Sequence, residues 1–172
     1  MIKIGKDISS FSTYSCRPTN KKELKEIINE RISKDGKHCN LNDIDTSLIE
    51  DMSELFLYSS FTGDISRWNV SNVTDMHEMF AYSKFNGDIS DWDVSNVKNM
   101  TGMFYCTPAF NYNISNWNIS KAKTLQSMFD RSNFNQNISN WEIDTNCDIR
   151  DMFHNCLIKD EFIPKSLRKC SR

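Results

Sequence analysis

The chain reads as an α/β solenoid: a right-handed coil with short parallel strands on one face, short helical turns on the other, and an N-terminal capping helix. Three observations predict this. Trp68, Trp92, Trp117 and Trp141 fall 24, 25 and 24 residues apart, each inside a recurring phrase such as FTGDISRWNVSNV or FNGDISDWDVSNV. Phe56, Phe80, Phe104, Phe129 and Phe153 keep the same register. Apolar residues recur with two different periods inside each unit. Self-similarity at a fixed period means that one small unit is stacked on copies of itself.

The first period is helical. Met52, Met76, Met100, Leu125 and Ile149 each precede the Leu-Phe or Met-Phe pair by three residues. Apolar residues at i, i+3 and i+4 predict helices of one to two turns over Asp51–Phe56, Asp75–Phe80, Asn99–Phe104, Thr124–Phe129 and Asp148–Phe153. The second period is two. Trp68-Asn69-Val70, Trp92-Asp93-Val94, Trp117-Asn118-Ile119 and Trp141-Glu142-Ile143 alternate apolar and polar, which predicts short strands with Trp and Val or Ile facing inward. Gly63-Asp64, Gly87-Asp88, Tyr112-Asn113 and Gln136-Asn137 are placed in turns. A unit of this length suits leucine-rich-repeat-type solenoids, whose repeats run about 20–29 residues.

Recurring asparagines predict ladders down the coil, with Asn72 and Asn96, or Asn86, Asn111 and Asn135, satisfying the turn backbone amides. The Asn-x-Ser/Thr matches at Asn69, Asn113 and Asn137 are by-products of the repeat. Leu41, Ile44 and Thr46 match the Ile, Trp and Val positions of a degenerate first repeat. Upstream, Asn20 and Glu23 resemble a capping box, and Leu24, Ile27, Ile28 and Ile32 mark one apolar face. Residues 21–33 are therefore expected to form a helix closing the open end of the coil. Domain organisation follows: 1–36 is an N-terminal segment with its helix, 37–158 holds four full repeats and one degenerate one, and 159–172 is a C-terminal cap and tail.

Residues 37–158 carry 8 basic and 16 acidic groups, while 1–36 and 159–172 each carry a net +3. An acidic repeat block argues against nucleic acid, since phosphate contacts need Lys and Arg. No apolar run approaches the roughly 20 residues that span a bilayer, and the start MIKIGKDISSF lacks a signal-length apolar stretch. These features alone read as cytoplasmic and leave the localisation open; a monomer is expected, an edge-mediated dimer being the alternative. Cys16, Cys39, Cys106, Cys147, Cys156 and Cys170 form no CxxC pair and no per-repeat framework, so reduced thiols are expected, with Cys16 and Cys170 the candidates for reactivity.

No phosphate loop and no Ser-His-Asp, Cys-His or metal-ligand constellation is readable around His38, His77 or His154. Catalytic residues, cofactors and metals are therefore none by expectation. The candidate partner-binding face is the outer side of the strands. One column is Asn69, Asp93, Asn118 and Glu142; its neighbour is Arg67, Asp91, Asn116 and Asn140. These positions vary while their inward neighbours do not. A fixed scaffold with an adjustable surface would show that pattern, and so would mere tolerance at exposed positions.

The phrases FNGDISDWDVSNVKNMTGMF and FTGDISRWNVSNVTDMHEMF, with the stretch from RPTNKKELKEIINERI onward, resemble the repeat of bacterial BspA-like leucine-rich-repeat surface proteins. The resemblance covers residues 17–158 and implies a non-enzymatic protein-interaction module, displayed on or released from bacterial cells and binding host or neighbouring macromolecules, often in adhesion. The alternative is an intracellular structural or regulatory protein that docks on and neutralises a partner.

Overall fold

The computed structural model describes residues 14–167. Its helices there are α1, Lys21–Asp35, and one 3-10 turn, Asp160–Phe162. Pairing between repeats is reduced to isolated parallel bridges, such as Asp51 with Asp75, Asp75 with Asn99, Asn99 with Thr124 and Thr124 with Asp148. The expected α/β solenoid of parallel strands and helical turns is thus corrected. Among the described residues no strand forms, and no repeat contains a helix. What stacks is a repeat built from turns.

Backbone geometry explains why the short helices fail. Each expected helix carries a left-handed residue: Glu54, Glu78, Gly102, Ser127 and Asp151 have φ of 58°, 48°, 60°, 53° and 56°. Tyr58, Tyr82, Cys106, Arg131 and Asn155 repeat this four residues later. Such residues end a right-handed helix. The amides follow two destinations in alternation. Met79, Ala81 and Ser83 donate to the carbonyls of Met76, Glu78 and Phe80, closing successive β-turns. Met76, Glu78, Phe80 and Tyr82 donate to Asn99, Thr101, Met103 and Tyr105 of the next repeat, at 2.9, 2.9, 3.0 and 2.9 Å. The i, i+3, i+4 pattern therefore reported burial correctly but not conformation.

The strands fail for a related reason. Around Trp92, the amides of Trp92 and Val97 close turns onto Ile89 and Val94. Those of Ser90 and Ser95 are held by the carboxylates of Asp88 and Asp93 at 3.0 and 3.1 Å. Side chains of Asp and Asn that bond the backbone two residues on compete with a sheet ladder. With these amides held locally, no extended pairing can form. Period two survives as alternation of burial: Trp92 and Val94 are buried and Asp93 is exposed.

The core is a set of aromatic columns. Phe56, Phe80, Phe104 and Phe129 stack with ring centroids 5.5, 5.6 and 5.6 Å apart, nearly parallel, and Phe153 follows at 6.0 Å. Phe61, Phe85, Phe110 and Phe134 form a second column at 6.4, 6.4 and 6.1 Å. Each fully buried ring contributes about 1.5–3 kcal/mol of apolar transfer. Each tryptophan ties one layer to the layer before: the indoles of Trp68, Trp92, Trp117 and Trp141 donate to the carbonyls of Leu41, Ile65, Ile89 and Ile114 at 2.9, 3.2, 3.1 and 3.1 Å. The degenerate repeat keeps this place for smaller residues, with Leu41, Ile44 and Thr46 buried and the Thr46 hydroxyl donating to Asn69.

Both asparagine ladders form, in opposite senses. The side-chain oxygens of Asn86, Asn111 and Asn135 accept from the amides of Asn111, Asn135 and Lys159 one layer on. The side-chain amides of Asn72 and Asn96 donate to the carbonyls of Ser47 and Ser71 one layer back, so this pair serves carbonyls and not the turn amides expected of it.

Helix α1 begins as its sequence predicts and runs on to Asp35. Asn20 accepts from the Glu23 amide at 3.0 Å, while Glu23 reaches back to the amide of Thr19. Leu24 and Ile28 are buried. The Lys25 ammonium donates to the Leu55 carbonyl, and Lys21 pairs with Asp51 at 2.8 Å. Burial holds Lys25 below the ordinary lysine range, opposed by the nearby Glu54 charge. Arg31 bonds Asp43 at 3.0 Å and the Asn40 carbonyl at 3.1 Å. At the other end, residues 157–162 begin a further layer: Leu157 and Lys159 donate to the Ser132 carbonyl and the Asn135 side chain, and Phe162 accepts from Ile138.

Candidate binding surface

The eight expected binding residues, Arg67, Asn69, Asp91, Asp93, Asn116, Asn118, Asn140 and Glu142, are all exposed. The structure divides them by what their side chains already do. Asn69, Asp93 and Asn118 hold the amides of Ser71, Ser95 and Ser120, each at 3.1 Å. These three are turn formers before they are anything else. The Ser95 hydroxyl, then its amide, holds Asp93 below the usual carboxylate range. Asn140 donates to the Ser115 carbonyl at 3.0 Å.

The last two copies meet in an open depression of about 450 Å³. Asn116, Asn118, Asn140 and Glu142 line it together with Ser115 and Ser120. It is a shallow polar surface whose donors and acceptors can match a polar patch on a partner. Arg67 and Asp91 stand on earlier repeats, outside it. Among the described residues, no group of three His, Cys, Asp or Glu is placed to hold a metal ion.

One surface escaped the sequence reading. Tyr58 and Tyr82, 71% and 43% exposed, stack with centroids 4.8 Å apart. Tyr105 meets Tyr82 edge-on at 5.1 Å. The hydrogen bond with Tyr105, with smaller help from partial burial, pushes the Tyr82 hydroxyl up to about 12. The signal was present in the spacing of Tyr58 and Tyr82, but Tyr105 sits one place out of register, so no column announced itself. Nearby, Asp130 is buried and takes a contact from His154 Nδ1 at 3.0 Å.

The cysteines resolve by place. Cys39 and Cys147 are buried and Cys16, Cys106 and Cys156 half-buried, all as free thiols. Burial raises the Cys39, Cys147 and Cys156 thiols, which favours the unreactive protonated form. Cys170 lies outside the described residues.

Fold and surface together define a class: a repeat protein whose turn-built layers share one aromatic core. The family model described as "Mycoplasma protein of unknown function, DUF285" matches residues 22–133 and 83–163. The chain belongs to that family, a repeat family of BspA-related kind. No curated protein and no solved structure matches it.

Proposed function

We propose that this chain is a non-enzymatic interaction module that binds a macromolecular partner through the wall carrying Arg67, Asn69, Asp91, Asp93, Asn116, Asn118, Asn140 and Glu142. The observation that carries this reading is the depression shared by Asn116, Asn118, Asn140 and Glu142, where two successive repeats present polar side chains to one surface. The scaffold behind it is stiff, because Trp117 and Trp141 are each bonded to the preceding layer. A rigid support lowers the ordering cost of binding. Membership of a BspA-related repeat family supports an adhesive role at a bacterial surface, with a host or neighbouring macromolecule as partner.

The test is capture from bacterial and host extracts by the full chain, against a variant carrying Asn116→Lys and Glu142→Lys. Neither side chain holds a turn, so the variant should keep its melting temperature and lose capture. Capture that persists at full strength rejects this wall as the interface.

A further inference from the structure

The rows of amides that join the repeats end in a row without a taker. Met52, Glu54, Phe56 and Tyr58 donate to the second repeat, and the pattern recurs through Leu125, Ser127, Phe129 and Arg131, which donate to Asp148, Arg150, Met152 and His154. The corresponding amides of the last copy belong to Ile149, Asp151, Phe153 and Asn155. None of these four meets an acceptor among the described residues. The apolar side chains there are also less covered. Met52, Met76, Met100 and Leu125 are fully buried, and so are Phe56, Phe80, Phe104 and Phe129, whereas Ile149 and Phe153 remain half-exposed. Phe153 lies parallel to Phe129 on one side. The layer begun by residues 157–162 bonds to Ser132, Asn135 and Ile138, a different part of the preceding repeat.

The opposite end of the stack is closed. There the missing layer is replaced by α1, whose Lys25 donates to the Leu55 carbonyl and whose Leu24 and Ile28 are buried. A second copy would have to lift α1 to offer its own first carbonyl row. Two last rows cannot join each other either, since both offer donors.

We propose that the row Ile149–Asp151–Phe153–Asn155 docks a segment of another protein chain that takes the turn-built path of Met76–Tyr82. That segment runs parallel to the row and directs its alternate carbonyls at the four amides. It carries the pattern this row's counterparts meet four times within the chain, an apolar residue followed three and four places on by Met and Phe. The logic is that of edge augmentation, here with a turn-built row in place of a strand: backbone bonds supply attraction and the recurring apolar side chains supply selectivity. An uncapped edge of this kind otherwise invites uncontrolled association. This surface is separate from the wall of Asn116 and Glu142, and each stands without the other.

The probe is a synthetic peptide of residues 75–98 added to the full chain, read by amide hydrogen exchange. In the free protein, the amides of Ile149, Asp151, Phe153 and Asn155 should exchange fast, and those of Leu125, Ser127, Phe129 and Arg131 slowly. Saturating peptide should slow the first set about tenfold or more, while a scrambled peptide leaves it unchanged. Phe153→Ser, checked for an unchanged exchange pattern in residues 100–131, should weaken peptide binding about tenfold. Protection of the last row in the free monomer would overturn the proposal. So would failure of the peptide to protect it, or concentration-dependent dimerisation that protects it without peptide.

Discussion

The indole N–H of Trp92 donates to the main-chain carbonyl of Ile65, 3.2 Å away and 27 residues earlier. That bond crosses from one layer to the layer before, inside the core. The tryptophans therefore do two things: they fill apolar space, and they add a bond between layers to a carbonyl that already closes a turn within its own layer. That carbonyl also accepts from the Trp68 amide at 3.1 Å, so the indole adds a second bond, worth about 0.5–1.5 kcal/mol net.

Trp92→Phe should remove the donor while keeping an aromatic ring. The expected loss is about 1–2 kcal/mol, combining the lost second bond to the Ile65 carbonyl with the smaller ring volume. Urea unfolding checks it. A loss below half a kcal/mol would mean that the bond contributes nothing net.

Phe104 touches rings on three sides, Phe80 at 5.6 Å, Phe110 at 4.0 Å and Phe129 at 5.6 Å. Phe104→Ala should open a cavity mid-column and cost about 3–5 kcal/mol. Phe153→Ala, at the half-exposed end, should cost distinctly less. Equal losses in thermal unfolding would contradict the column picture.

Gly63 is required by close approach. A Cβ there would lie 1.9 Å from the Cys39 carbonyl oxygen and 2.6 Å from the Phe61 ring. Gly63→Ala must therefore separate the first two layers, and should be among the most destabilising single substitutions, at roughly 3 kcal/mol or more. The second full repeat keeps Gly87 at this position, but the last two hold Tyr112 and Gln136, so alanine at either of these should be nearly neutral. Parallel melts of the three variants make the comparison.

Asp43 accepts from the Ser15 hydroxyl and from Arg31, and these two bonds hold its carboxyl below the usual carboxylate range. A depressed carboxylate contributes stability that is fully present above its unfolded value and lost as pH falls through its folded value. Acid should therefore loosen the contact of α1 with the degenerate repeat as pH drops below the ordinary carboxylate range. Asp43→Asn should flatten that part of the stability-against-pH curve, with little change at pH 7 beyond the lost ion pair. An unaltered acid limb would show that other carboxylates control it.

How far the sequence could be read differs from residue to residue. The inward places of Trp68, Val70, Phe56 and Met52 follow from spacing alone, because burial repeats wherever the chemistry repeats. The Asn86–Asn111–Asn135 ladder was legible for the same reason. Conformation was not. Asp51–Phe56 has the spacing of a helix, yet Glu54 takes a left-handed φ that no sequence pattern marks, since glutamate adopts it only when neighbouring layers enforce it. The Trp92-Asp93-Val94 strand fails because Asp93 takes the Ser95 amide, a contact its alternation with apolar neighbours does not reveal. For the binding wall, exposure of all eight residues could be read from alternation. That Asn69, Asp93 and Asn118 hold turns, and that Asn116 and Glu142 share a depression, could not.

Register, core membership and the closing helix are thus properties of the sequence itself, because periodic apolar chemistry must be buried and a capped amphipathic segment must coil. Backbone path belongs to the tertiary structure. An amide can bond within its turn or to the next layer, both choices satisfy it, and only the presence of that next layer at the right distance selects between them. The same contest leaves the last row, Ile149 to Asn155, with amides that meet no acceptor among the described residues, where the earlier repeat rows have found theirs.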